Sequence, residues 1–298
     1  MAFAGQISDR AEVGLDSSAA QLSLRQRLLV VLRESRQTTV GLAIVLIALA
    51  GTFLLPLVYR VDPLAVDGAA TLQSPSLAHL LGTDTFGRDI LARIIHAGRL
   101  DFFIAFSVTG LAFGVGTVIG ALSGYAGGWL DELVMRIVDV MLSFPAFILA
   151  LAITVMMGNH LQNVIGAIAF AYTPYFVRLT RSEALKIRDS EYADAARVVG
   201  NPPWRVALVH VFPNVISPGL VLASIVLGWA ILDASALGFL GIGIRPPTAE
   251  WGTMVAEGSA YIGTGQWWTW LFPGVAILIV VLAFNWVGDG LRNLVRSA

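Results

Sequence analysis

Apolar residues in this chain fall in long unbroken runs rather than in an alternating or 3.6-residue rhythm. Six stretches approach the roughly 20 mostly apolar residues that a helix needs to cross a bilayer. They are Val40–Tyr59, Phe102–Tyr125, Val138–Met157, Val164–Val177, Val215–Leu237 and Trp270–Gly288. Pro174 interrupts the fourth, which is the shortest, so that span either kinks or extends beyond these limits. Lipid offers the backbone no hydrogen-bond partner, so each stretch is expected as a helix. The pattern predicts an all-α, polytopic membrane protein with about six transmembrane helices. A polar segment, 1–37, precedes a transmembrane region, 38–298. Within it two longer polar loops stand out, 60–100 and 178–214.

Composition agrees. The 298 residues are 56% hydrophobic and 13% charged, with a mean hydropathy of +0.76, against about 25% charge in soluble domains. The formal net charge of −1 points to no nucleic-acid partner. With no cysteine, disulfides and thiolate metal sites are excluded. Residues 1–37 hold no early apolar run, so no cleaved secretory signal is expected there; Leu22 to Arg36 reads as a surface helix leading into the first span.

Charge also sets direction. With the N-terminus inside, the inner segments carry fourteen basic residues and the outer ones five, namely Arg60, Arg88, Arg93, Arg99 and Arg245. Both termini and the loop 178–214 are then expected on the cytoplasmic face. The second span carries Gly110, Gly114, Gly116, Gly120 and Gly124, a spacing that lets helices approach closely. Either packing within one subunit or a subunit interface fits that stripe. Trp251, Trp267, Trp268 and Trp270 suit an interfacial aromatic belt.

The loop 178–214 is rich in breakers. Ala193, Ala195 and Ala196 favour a short helix, Gly200 can cap it, and Asn201-Pro202-Pro203 stops it. Trp204 to His210 starts another helix, and Pro213 fixes entry into the fifth span. From Asp194 to Pro213 the chain reads D-A-A-x3-G-x9-H-x-F-P. This resembles the cytoplasmic signature of ABC-importer permeases, E-A-A-x3-G-x9-I-x-L-P. Ala195, Ala196, Gly200 and Pro213 match in register, Asp194 keeps the acidic charge, and His210 and Phe212 depart from the aliphatic pair.

Three further blocks are similar to the second permease subunit of dipeptide, oligopeptide and nickel importers. The first is Gly82 to Arg93, G-T-D-T-F-G-R-D-I-L-A-R. In it Gly82 and Gly87 read as turn residues and Thr83 or Asp84 as a helix cap, and Asp84, Arg88 and Asp89 can form local ion pairs. The second is Arg136 to Ile148, where Asp139 shares a helix face with Arg136 and Pro145 can kink the helix. The third is Ile231 to Met254, with Asp233 where the family usually has Glu, Ser235 nearby, and Gly238, Gly241 and Gly243 at a bend. An ionisable residue within a span should face protein or water and is a candidate functional group.

The resemblance covers roughly Arg36 to Arg296 and implies a type I ABC-importer permease fold. It implies a heterodimer with a homologous permease in the inner membrane, two cytoplasmic ATPases holding ATP and Mg, and an extracytoplasmic substrate-binding protein. Glu191, Asp194, Ala195, Ala196, Arg197, Gly200 and Pro213 become the ATPase-coupling residues, and Asp233, Ser235, Asp139 and Pro145 the pathway or gate candidates. Gly82, Asp84, Gly87, Arg88 and Asp89 shape the outer loop. The chain carries no phosphate-binding G-x4-G-K-[ST] motif, no metal-ligand spacing among His79, His96, His160 and His210, and no catalytic elbow. It is therefore expected to be a transport subunit without enzymatic chemistry or a cofactor of its own. Peptides are the favoured substrate, with nickel or another small solute as the alternative. An ion-coupled secondary transporter and an integral membrane enzyme are the rival classes, the former weakened by the absence of an internal repeat.

Overall fold

The computed structural model describes residues 35–188, 190–191 and 198–296, and among them it is helical with one isolated β-bridge. Eight helices carry the architecture: α1 (Arg36–Val58), α2 (Ile90–Ala126), α3 (Gly128–Leu142), α4 (Ala146–Met157), α5 (Leu161–Arg188), α6 (Phe212–Phe239), α7 (Trp251–Ser259) and α8 (Trp268–Arg296). Four of them, α1, α2, α6 and α8, are long and apolar enough to cross a membrane. α1 is apolar on every side and exposes Leu46, Ile47, Phe53, Leu54, Leu57 and Val58, as a helix facing lipid or another membrane subunit does.

The third and fourth expected spans differ from their sequence-based outlines. The run Val138–Met157 is broken at Ser143–Pro145, and α3 and α4 meet at 89°. A proline disfavours helical backbone at the residue before it, so the chain turns at Phe144 and restarts after Pro145. α4, with 12 residues, spans about 18 Å, well short of the roughly 30 Å hydrocarbon core; only the bent pair taken together adds a fifth crossing. α5 is longer than expected and runs without a break through Pro174 to Arg188. Its 28 residues are long enough to cross. Gln162, Asn163 and a charged last turn keep its mean hydropathy below that of the four apolar helices.

α2 forms the axis of the packing. The glycine stripe on it divides in two. Cβ atoms built at Gly116, Gly120 and Gly124 would meet α5 at 2.6 Å (Phe176 Cβ), 2.5 Å (Val177 O) and 2.8 Å (Arg181 O). Those three glycines bring the α2 and α5 backbones together inside this subunit. Gly110 and Gly114 meet nothing within 4 Å, so they lie on a face that the described residues leave uncovered. α1 rests on α8 through Gly41, against Trp286 and Ala283, and through Thr38, against Gly290. Buried Phe102, Ile104, Ala105, Val108, Ile168, Tyr172, Phe176, Val226, Ala230 and Phe284 fill the middle of the bundle.

These contacts set two ends. One gathers the loop 59–89, the start of α2, the end of α6, α7 and the start of α8. The opposite end holds α3, the end of α5 and the segment 198–211 that leads into α6. That segment is one helical turn, Pro203–Arg205, then a wider π-helical stretch, Val206–Val211. There the Phe212 N–H donates to Ala207 O, five residues back. Pro213 follows and has no N–H to give. It lies in the first turn of α6, and entry into that helix is continuous.

Candidate functional site

At the first end, the loop 59–89 is folded by its own short-range chemistry. Gly82 and Gly87 have φ of 77° and 72°, the left-handed region open to glycine. A Cβ on Gly87 would sit 1.8 Å from Asp67 O, so no other residue fits that turn. Asp84 Oδ1 accepts the backbone N–H groups of Phe86 (2.8 Å) and Arg88 (3.0 Å). The cap of α2 is neither Thr83 nor Asp84. It is Asp89, whose Oδ1 accepts from Ala92 N at 2.8 Å while its Oδ2 meets the Tyr59 hydroxyl (2.9 Å) and His79 Nδ1 (3.0 Å).

The expected local ion pairing of Asp84, Arg88 and Asp89 widens into a buried network that reaches α7. Asp84 Oδ2 accepts from Arg88 Nε (2.7 Å) and Arg93 Nη1 (2.5 Å), and Glu257 Oε2 accepts from Arg88 Nη2 (3.1 Å) and Arg93 Nη1 (2.8 Å). Asp89 belongs to the separate cap cluster. Two cations facing two carboxylates satisfy the rule that buried charge must be paired. Neither Arg93 nor Glu257 is a site residue legible from the sequence alone, because the pairing joins residues 164 positions apart.

The tryptophans of this end correct the aromatic-belt reading. Trp251 and Trp268 are buried. Trp251 Nε1 donates to Ile94 O at 3.0 Å, with its ring edge-on to Phe102, and Trp268 Nε1 donates to Thr83 O at 3.2 Å. They fasten α7 and α8 to the start of α2 and its loop. Trp267 is exposed and Trp270 half-buried.

In mid-bundle, Asp233 of α6 faces protein: Tyr172 of α5 donates its hydroxyl to Oδ2 at 2.7 Å. Tyr172 is stacked on Trp229 and lies against Tyr175. Ser235, two residues on, is buried, and its carbonyl lies against Gly252 in the first turn of α7. Gly241, with φ 72°, ends α6 and supplies the bend expected there.

At the opposite end, Asp139 pairs with Arg178 of α5 rather than with Arg136, and the neighbouring Asp131 binds Arg181 through two bonds of 2.8 and 2.6 Å. Both bridges tie α3 to α5. Pro145 lies at the α3–α4 break. The four pathway candidates therefore do not converge. A concavity of ≈ 820 Å³ opens nearby between α5, α6 and α8, with Tyr175, Arg178, Ser182, Pro218, Ile225 and Arg292 on its walls. Of the four candidates, Asp139 reaches its lining, through Arg178.

Of the coupling candidates, Asp194, Ala195, Ala196 and Arg197 lie outside the described residues. Glu191 is exposed. Gly200 has φ 87° and a Cβ there would meet nothing within 4 Å, so glycine is needed for the backbone rather than for space. Pro213 is exposed in the first turn of α6. Beside them Val198 (87%), Val199 (82%) and Trp204 (60%) leave large apolar surfaces open. Sequence reasoning missed these three; their signal was apolar residues inside a loop otherwise too polar to enter the bundle.

Residues 116–297 match the family described as binding-protein-dependent transport system inner membrane component. The chain belongs to this family. The permease is thus a multi-pass inner-membrane transport subunit and not an enzyme. It is 41% identical over 263 residues to the dipeptide transport system permease protein DppC of Alkalihalophilus pseudofirmus, covering 88% of this chain and 86% of that one. It is 39% identical over 268 residues to the probable D,D-dipeptide transport system permease protein DdpC of Escherichia coli, covering 90% of each. A glutathione transport system permease protein, GsiD of Pectobacterium atrosepticum, is 38% identical over 221 residues, 74% of this chain and 73% of that one.

Proposed function

We propose that this permease moves di- or oligopeptides across the inner membrane as one half of a heterodimer with a second, homologous permease. Two cytoplasmic ATPases drive it, holding ATP and Mg, and an extracytoplasmic binding protein delivers the substrate. Both termini and the segment 178–214 face the cytoplasm. The ATP-coupled reading is carried by the exposed segment around Gly200, where Val198, Val199 and Trp204 present apolar surface beside a left-handed glycine. Uncovered apolar surface of this kind marks a protein contact. The peptide class is supported by the relatives, which are named for dipeptide, D,D-dipeptide and glutathione transport.

ATP-driven closure of the ATPases would draw the two coupling segments together. The movement would pass through the π-helical stretch into α6 and favour the outward-open state. ATP performs the switch through its different affinities for the two states.

Gly200→Val tests the coupling role. A β-branched residue strains at φ 87°, and with open space around the Cβ the effect acts through the backbone of the segment alone. The expected result is an assembled complex that still hydrolyses ATP while uptake falls about tenfold, within the usual range of coupling energies. Wild-type uptake by this variant would remove the segment from the coupling path.

A further inference from the structure

Asp101 of α2 and Glu250, the residue that caps α7, are each only 1% exposed. The buried cations of this end, Arg88 and Arg93, are engaged by Asp84 and Glu257. What meets Asp101 and Glu250 instead is the first turn of α7. Asp101 Oδ2 accepts from Trp251 N at 3.2 Å, and Glu250 Oε1 and Oε2 accept from Gly252 N at 2.7 Å and Thr253 N at 2.8 Å. Two carboxyl groups from different elements thus crowd one helix N-terminus, which carries the equivalent of about half a positive charge.

The remaining atoms define the problem. Asp101 Oδ1 is buried without a donor, and Asp101 Oδ2 is bonded to the N–H of Trp251, the residue directly after the capping Glu250. Ionised carboxylates are acceptors only. As two anions the pair would leave Oδ1 unsatisfied and place like charges together in a site closed to water. The closure is tight: a Cβ on Gly238 would lie 2.1 Å from Glu250 Oε2, and one on Gly252 would lie 1.9 Å from Ser235 O. The Ser235 hydroxyl is buried without a partner, and its residue lies against the same turn through the carbonyl that Gly252 meets.

We infer that Asp101 and Glu250 hold one proton between them, forming a buried proton-binding site that fastens α7 to α2 beside Ser235 of α6. The proton gives Asp101 Oδ1 and Glu250 the donor that neither has as an anion, and leaves one negative charge for the α7 N-terminus. The other ionisable groups on the surrounding elements are committed elsewhere. On α6, Asp233 faces Tyr172. On α7, Glu257 binds Arg88 and Arg93, and lies about 10 Å along the helix from Glu250 at 1.5 Å per residue. On α2, Arg99 turns to Thr52 O and the Phe53 ring, and His96 to Ala92 O. α8 brings Trp268 and Thr269, which do not titrate here.

Burial pushes the Glu250 carboxyl above the usual carboxylate range. The native state then keeps a proton that the unfolded chain releases. The stability this contributes is complete below the ordinary carboxylate range and is lost as the pH rises through the raised value.

The test uses the assembled transporter in lipid nanodiscs, as wild type, Asp101→Asn and Glu250→Gln. Asparagine keeps a donor toward Glu250 without a titrating proton. The expected result is an infrared carbonyl band of a protonated carboxyl in the wild type that both variants remove. The wild-type melting temperature should also fall as the pH rises through that band's titration, with the fall absent in Asp101→Asn. If the band is unchanged in the variants, or the wild-type and Asp101→Asn melting curves share one pH dependence, the pair does not bind the proton. Should one variant fail to assemble, the other removes the same proton, and the wild-type melting curve against pH reads it independently.

Discussion

Arg93→Met is expected to cost the permease about 3–5 kcal/mol, the usual consequence of removing one partner from a buried charge network. Methionine preserves the apolar stem of the side chain, so the change isolates the guanidinium. Nη1 of Arg93 contacts both Asp84 and Glu257. Without it Arg88 alone faces buried Asp84 and half-buried Glu257, and α2 loses its ion pair with α7. A melting temperature several degrees lower, measured on the purified complex, is the expected readout. Arg292→Met is the matched control: its contact with Asp289 is 3.8 Å long and largely exposed, and such a pair contributes no more than about 1 kcal/mol. Equal melting of wild type and Arg93→Met would mean that the network does not hold this end of the bundle.

Gly120→Leu is expected to separate α2 from α5. A Cβ at Gly120 would lie 2.5 Å from Val177 O and 2.9 Å from Thr180 Cβ. The first of these is backbone and cannot rotate away. Overpacking usually costs about 1–3 kcal/mol, and here the longer side chain must also find room where the α2 and α5 backbones meet. Loss of most monodisperse protein in size-exclusion chromatography is the outcome to look for. Gly114→Leu on the same helix meets nothing within 4 Å, so this subunit should fold normally with it. If both substitutions behaved alike, the glycine stripe would not be divided between internal packing and an open face.

The helices were legible in the sequence to the extent that apolar runs define them. α1, α2, α6 and α8 cover the expected spans, with Pro56, Pro218 and Pro273 carried inside α1, α6 and α8. α2, however, begins at Ile90, well before the expected start at Phe102 and within the expected outer loop. The α3–α4 break was harder to see: Pro145 was visible, but the apolar residues on either side of it read as one span. Trp251 and Trp268 misled for a related reason. A tryptophan near a loop suits a membrane interface equally well whether or not its N–H finds a carbonyl, and only the tertiary contacts with Ile94 O and Thr83 O distinguish the two.

The candidate site was legible where its chemistry is local. Gly82, Gly87, Gly200 and Gly241 all adopt the left-handed backbone that turns and caps require. Long-range chemistry was not legible: Glu257 with Arg93, Tyr172 with Asp233, and Arg178 with Asp139 are joined by folding alone, and no spacing rule connects them. For the same reason Asp233, Ser235, Asp139 and Pro145, plausible singly as pathway residues, occupy separate places in the bundle.

The most direct test of the account is ATP-dependent uptake of labelled dipeptides and oligopeptides into vesicles. The vesicles would carry this permease with its partner permease and ATPases, with binding protein supplied outside and an ATPase-dead complex as control. The expected result is peptide accumulation that disappears in the control. An assembled complex that hydrolyses ATP but accumulates no peptide would contradict the substrate assignment, and peptide uptake that persists in the ATPase-dead control would contradict the ATP-driven mechanism itself.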